Sequence, residues 1–221
     1  EFLASFYCTK KTCTLKTQQS GVNSMYNRDQ KLISMLSKGN PKATKQVLIL
    51  VLDSVRNFFG NTETRMKEIK RRGANAVALN NKTKTKGYRY IQSNWKYLHD
   101  VIHSDDLTLA DKLVALTEIP NIGLVKAGFI LQLCLGEVGC IDCHNSAKYD
   151  INLENFKLHN VKKLATKIKK AQDYITACEQ VGGSRKLWNE WCKTISQKYP
   201  TRFATASDVS RVHADVIVSV V

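Results

Sequence analysis

Residues 118–145, EIPNIGLVKAGFILQLCLGEVGCIDCHN, decide how this chain is read. Pro120 fixes one backbone angle and Gly123 opens conformations closed to other residues, so 119–123 predicts a sharp turn. Beyond it, Leu124, Ala127, Ile130, Leu131 and Cys134 recur at helical spacing, which predicts a helix over 124–135 with one buried face. Upstream, the repeat Leu109, Leu113, Leu116 predicts another helix within 107–117. Helix, tight turn, helix leaves the backbone N–H groups at the second helix's start without partners in the chain, free to take a phosphate oxygen. Lys126, in that first turn, adds a positive charge. The loop 136–142, GEVGCID, then carries two glycines that permit a compact bend before Asp142, setting a carboxylate close to whatever the turn holds.

Outward from this stretch the chain reads as all-α. Pro41 opens a run in which Val47, Leu48, Val51, Leu52, Val55, Phe58 and Phe59 repeat at helical spacing, closed by Gly60. A charged helix is expected over 62–72, another over 92–103 with Trp95, Leu98 and Ile102 buried, and another over 161–181 stopped by Gly182 and Gly183. Ser184 offers an N-cap to a helix carrying Leu187, Trp188, Trp191 and Ile195, and Ser207 to a last one through Val212 and Val216. Only the final residues, 216–221, have strand-like composition, and no internal repeat is present. The expectation is one helical domain over 1–221, with room for two lobes, and a long polar loop over 73–93.

The formal charge of +15, from 34 Lys and Arg against 19 Asp and Glu, attracts polyanions: DNA, RNA and anionic membranes all fit it. Much of it is grouped, as KEIKRR (67–72), KTKTKGYR (82–89) and KKLATKIKK (162–170). The second group reads equally as a solvated segment or as an arm that tracks a nucleic-acid backbone. The third reads as an amphipathic helix with Leu164, Ile168 and Ala171 on its apolar face. No apolar run approaches the ~20 residues of a membrane span, and EFLASFYCTKKTC at the start lacks the pattern of an export signal. An intracellular, nucleoid-associated protein of a cell or of a host cell is expected; the start without Met suggests processing, a tag or trimming.

The 118–142 stretch resembles the helix-hairpin-helix base-excision DNA glycosylases, whose hairpin reads roughly Leu-Pro-Gly-Val-Gly and whose catalytic Asp follows a glycine-bearing loop about twenty residues later. Ile119, Pro120, Asn121, Ile122 and Gly123 stand for the hairpin and Asp142 for the acid. Asn121 replaces the first hairpin glycine, and Asn is among the few residues that tolerate left-handed backbone. The family's lyase members carry a Schiff-base Lys where this chain has Val125; Lys126 comes one position later, about 100° around the helix. The resemblance therefore implies a two-lobed helical fold and a monofunctional enzyme, a divergent viral member of the family being one form of it, that cleaves the N-glycosidic bond of a damaged or modified base. It implies DNA as partner, bound by Asn121, Ile122, Gly123, Leu124, Val125 and Lys126, with Asp142 stabilising an oxocarbenium-like sugar, and no cofactor or metal. The alternative is a noncatalytic helix-hairpin-helix DNA-binding or virion-associated protein.

Other readings attach to the same residues. Cys140-Ile-Asp-Cys143-His144 matches the C-x-x-C-H pattern of covalent haem attachment. A zinc site from Cys140 and Cys143 lacks a clean second pair among the 7 cysteines. Asp142 can be a plain N-cap of a following helix, with Asn145 either supporting it or ending the loop. His144 reads as an ordinary polar residue, and Trp95, Trp188 and Trp191 as core packing.

Overall fold

A computed structural model describes residues 31–53, 82–201 and 203–218, and every regular element among them is a helix. Residues 31–39 are helical and lead into α1 (Pro41–Asp53). Asn40 starts it, its side chain accepting from the Lys42 N–H at 3.0 Å. The expected continuation of this helix to Phe59 and the helix over 62–72 lie outside the described residues. Then come α2 (Lys82–His103), α3 (Leu109–Leu116), α4 (Leu124–Leu135), α5 (Cys143–Tyr149), a 3-10 turn (Leu153–Phe156), α6 (Leu164–Gln180), α7 (Gly183–Lys198) and α8 (Ala206–Val218).

One apolar core joins them. α1 packs on α2, α4 and α8; α3 on α2, α4 and α6; and α7 on α5, α6 and α8. α4 sits where these groups meet, and nine consecutive or near-consecutive residues from Leu124 to Cys134, Gln132 included, are buried. Burial of each large apolar side chain stabilises by about 1.5–3 kcal/mol, so α4 is held from all sides.

Several expectations need correction. The predicted loop over 73–93 is helical from residue 82 onward, as the first half of α2; residues 73–81 are outside the description. Gly87 is the cause of the misreading: it marks a close approach, not a break. A Cβ there would stand 2.3 Å from the Pro120 carbonyl oxygen and 2.8 Å from Leu52. α6 begins at Leu164 rather than 161, and Leu164 is exposed, so the apolar face starts at Ile168 and Ala171. Ser184 is no cap; α7 starts at Gly183, and Ser184 is buried in its first turn. The cap of α8 is Thr205, paired reciprocally with Asp208, rather than Ser207. α8 runs helically to Val218, with the side chains of Val212 and Val216 outside the description.

Where α1 meets α2, polar groups are gathered inside the fold. Ser37 Oγ lies 2.9 Å from Thr44 Oγ1 and 2.9 Å from His103 Nε2, and Thr44 Oγ1 lies 2.9 Å from His99 Nδ1. Burial, then the neighbouring His99, Lys112 and Lys38, pushes His103 down to about 4. The folded value lies below the unfolded one, so the neutral ring stabilises the fold above pH ~6.5, and this is lost as pH falls from there toward 4. Denaturant melts at pH 7 and 4.5 are expected to show a loss of roughly 1–2 kcal/mol after allowance for solvent screening. The loss should shrink in His103→Gln; an equal loss in that variant removes His103 as the cause.

Candidate nucleic-acid interface and the Asp142 pocket

The hairpin forms from 119–123. Ile122 N–H donates to the Ile119 carbonyl at 3.0 Å, and Asn121 takes the left-handed backbone, φ 73°, that the missing glycine would otherwise supply. Gly123 itself is extended, φ −105°, and a Cβ there would meet open space, so its backbone freedom is not what the turn uses. α3 and α4 differ at their starts. Thr108 and Asp111 form a full capping box on α3. α4 has Gly123 as N-cap, no side-chain cap and no acid in its first turn. Its leading amides therefore keep their capacity to hold an anion.

Lys126 folds back over this start, its Nζ donating to the Asn121 carbonyl at 3.1 Å. Burial, then Lys84, pushes its ammonium down to about 8, with Asp53 opposing. Lys84 itself donates to the Asp53 carbonyl at 2.5 Å. Asn121, Ile122, Gly123, Leu124, Val125 and Lys126 form one wall of a groove of about 830 Å³; Phe156, Lys157, His159 and Lys167 contribute to the other. This opposite wall was missed in the sequence. Lys167 lies inside a charge run that reads as a solvated helix face, and nothing local ties Lys157 to the hairpin.

Asp142 lies elsewhere along α4. The chain leaves the helix through Gly136 and folds back along it, with Gly136, Val138 and Gly139 all at positive φ. Such backbone is strained for a β-branched residue, and Val138 is held there by burial. The returning loop touches α4 at Gly128, where a Cβ would stand 2.4 Å from the Gly139 carbonyl oxygen and 2.7 Å from Tyr174. Tyr174, wholly buried on α6, donates through its hydroxyl to the Gly139 carbonyl at 2.9 Å and accepts from Ile141 N–H at 3.1 Å. Gln132 ties α4 to α7 by donating to the Ser184 carbonyl at 2.7 Å.

At the end of this clamp Asp142 caps α5. Its Oδ1 accepts from His144 N–H at 3.0 Å and Asn145 N–H at 2.9 Å. Asn145 supports the loop as well, its Nδ2 donating to the Cys140 carbonyl at 2.8 Å. The half-buried carboxylate borders a small pocket with Phe129, Trp188 and Trp191, whose free volume is about 10 Å³, room for roughly one water. The tryptophan rings lie 5.5 Å apart and are core residues, as their register predicts. This pocket and the hairpin groove share no lining residue.

The C-x-x-C-H run is divided. Cys140 turns inward, its thiol pushed well above the ordinary range by burial and then by Asp142, Cys178 and Cys143. Cys143 is exposed. Thioethers from both to one porphyrin would require Cys140 to leave its packing against the core. No protein family, curated protein or solved structure matches the chain.

The clamp predicts a steep response at one position. Gly128→Ala should destabilise by about 1–3 kcal/mol, because neither backbone Gly139 nor buried Tyr174 has room to yield. Ala at exposed Gly123, where a Cβ has open space, serves as the reference in the same urea titration. Equal midpoints for the two variants would sink the close approach.

Proposed function

We propose that this chain is a DNA-binding protein of the helix-hairpin-helix kind, gripping the sugar–phosphate backbone in the hairpin groove. The observation that carries the reading is the uncapped start of α4 opening onto a groove with Lys157 and Lys167 on its far wall. Bare amides and lysine ammonium groups, that of Lys157 released from its exposed ion pair with Glu154, suit a phosphate without reading base sequence. The net charge of +15 supplies the long-range attraction. Affinity measured by fluorescence anisotropy should fall steeply with salt, and Lys157→Glu with Lys167→Glu should weaken it by roughly tenfold or more. Lys126 is charged below its value of about 8 and loses that charge as pH rises. Binding should therefore weaken from pH 7 to pH 9, and less so in Lys126→Arg, whose guanidinium stays charged. A salt-insensitive affinity would contradict the phosphate grip.

A second reading adds base excision. It is favoured by the placement of the Asp142 carboxylate: one oxygen serves the cap, Oδ2 accepts no hydrogen bond among the described residues, and aromatic rings stand beside it. A carboxylate so held would stabilise the cationic sugar of a broken N-glycosidic bond. The reading ranks second because the pocket, closed to about 10 Å³, must open before a flipped base can enter, and because its walls are separate from those of the groove. Asp142→Asn separates the roles, since Asn caps as well as Asp but carries no charge. With duplexes bearing a panel of damaged bases, wild type should release free base and Asp142→Asn should release at least ~100-fold less, at unchanged melting temperature and DNA affinity. No release from any substrate by wild type leaves the noncatalytic reading.

A further inference from the structure

The half of the C-x-x-C-H run that stays at the surface makes a different constellation from the one its spacing suggests. Asp142, Cys143 and His144 bring one carboxylate oxygen, one thiol sulfur and one imidazole nitrogen within 4.8 Å of one another. Cys140 takes no part: it is partly buried against the core, and its sulfur is not within reach of the other three donors. We infer that these three side chains form a surface site for a borderline-soft divalent metal ion of the zinc type, with water completing the coordination.

Donor chemistry selects the ion. Thiolate and imidazole favour zinc and its neighbours over magnesium or calcium, which prefer oxygen alone. Geometry permits it: bonds of about 2.0–2.3 Å in a tetrahedron put donor atoms roughly 3.3–3.8 Å apart, so each pair needs to close by at most about 1.5 Å from the 4.8 Å limit, within reach of side-chain rotation. Asp142 can serve without losing its place, because the cap uses Oδ1 and leaves Oδ2 to a metal. Electrostatics sets the main obstacle, since the start of a helix repels a cation. Carboxylate and thiolate together carry the two negative charges that neutralise a divalent ion, and on binding the thiol proton goes to solvent. Asp142 ends a loop that Tyr174 and Asn145 already hold and Cys143 begins the helix it caps, so little chain ordering is needed to gather them.

Metal at this site would occupy the carboxylate that the base-excision reading uses, but the site stands without that reading. Its test is spectroscopic and uses neither DNA nor activity. Cobalt(II), titrated into the reduced full chain, should bind one equivalent with a thiolate-to-cobalt charge-transfer band and the visible bands of a four-coordinate ion, and zinc should displace it. Cys143→Ser should abolish the charge-transfer band, and His144→Ala should weaken affinity at least tenfold. Asp142→Asn, which keeps the cap, should weaken it as well. The proposal is overturned if the wild-type chain binds no cobalt with a thiolate band, or if the band survives both Cys143→Ser and His144→Ala unchanged, which would place the metal on other cysteines.

Discussion

The passage of the 136–142 loop across Gly128 is the contact on which the rest of the structure leans. α4 is buried along most of its length, and the chain leaving it returns along it, with Val138 and Gly139 buried and Glu137 facing solvent. That return is possible only where the helix surface has no side chain. Gly128 provides the gap, and Tyr174 fixes the loop in it through one donated and one accepted hydrogen bond. Replacing water by these buried partners has a modest net effect, about 1 kcal/mol each, yet leaving either backbone group unpaired inside the core would cost more. The position of Asp142 therefore follows from a tyrosine on α6 and a missing side chain on α4.

The two ends of α4 illustrate opposite uses of helix-end chemistry. At its start the amides are bare and a lysine leans across them. Beyond its far end, the amides of the next helix are satisfied by Asp142. Lys126 shows what the first arrangement involves: half-buried near a second lysine and tied to a carbonyl, its ammonium is less stable than one in water. An arriving phosphate would relieve that tension, because an anion offsets both the lost hydration and the neighbouring charge. Groups that are incompletely satisfied in the free protein supply the differential energy for binding a partner.

Much of this was legible in the residues. The helix over 124–135 has the predicted bounds, because periodicity, the turn before it and the glycine after it agree. Asn121 in left-handed backbone and Asp142 as a cap follow from their types. What escaped depends on contacts distant in sequence. Gly87 looks like a helix breaker until Pro120 lies across it. Lys157 and Lys167 join the hairpin only because α6 packs on α3. Ser184 reads as a cap from its type, but the two preceding glycines already turn the chain, and its carbonyl is used by Gln132 from α4.

The C-x-x-C-H run carries the same lesson into chemistry. A spacing pattern presumes that its members face one way, and here the backbone divides them. Gly139 at positive φ turns Cys140 toward Cys178 and Tyr174, while the start of α5 projects Cys143 and His144 outward beside Asp142. Asp142, the residue between the two cysteines, belongs by geometry with the outward set. Its carboxylate caps α5 through one oxygen, so the proposed sugar chemistry and the proposed metal binding would each have to use the other, and the cap would coexist with only one of them at a time.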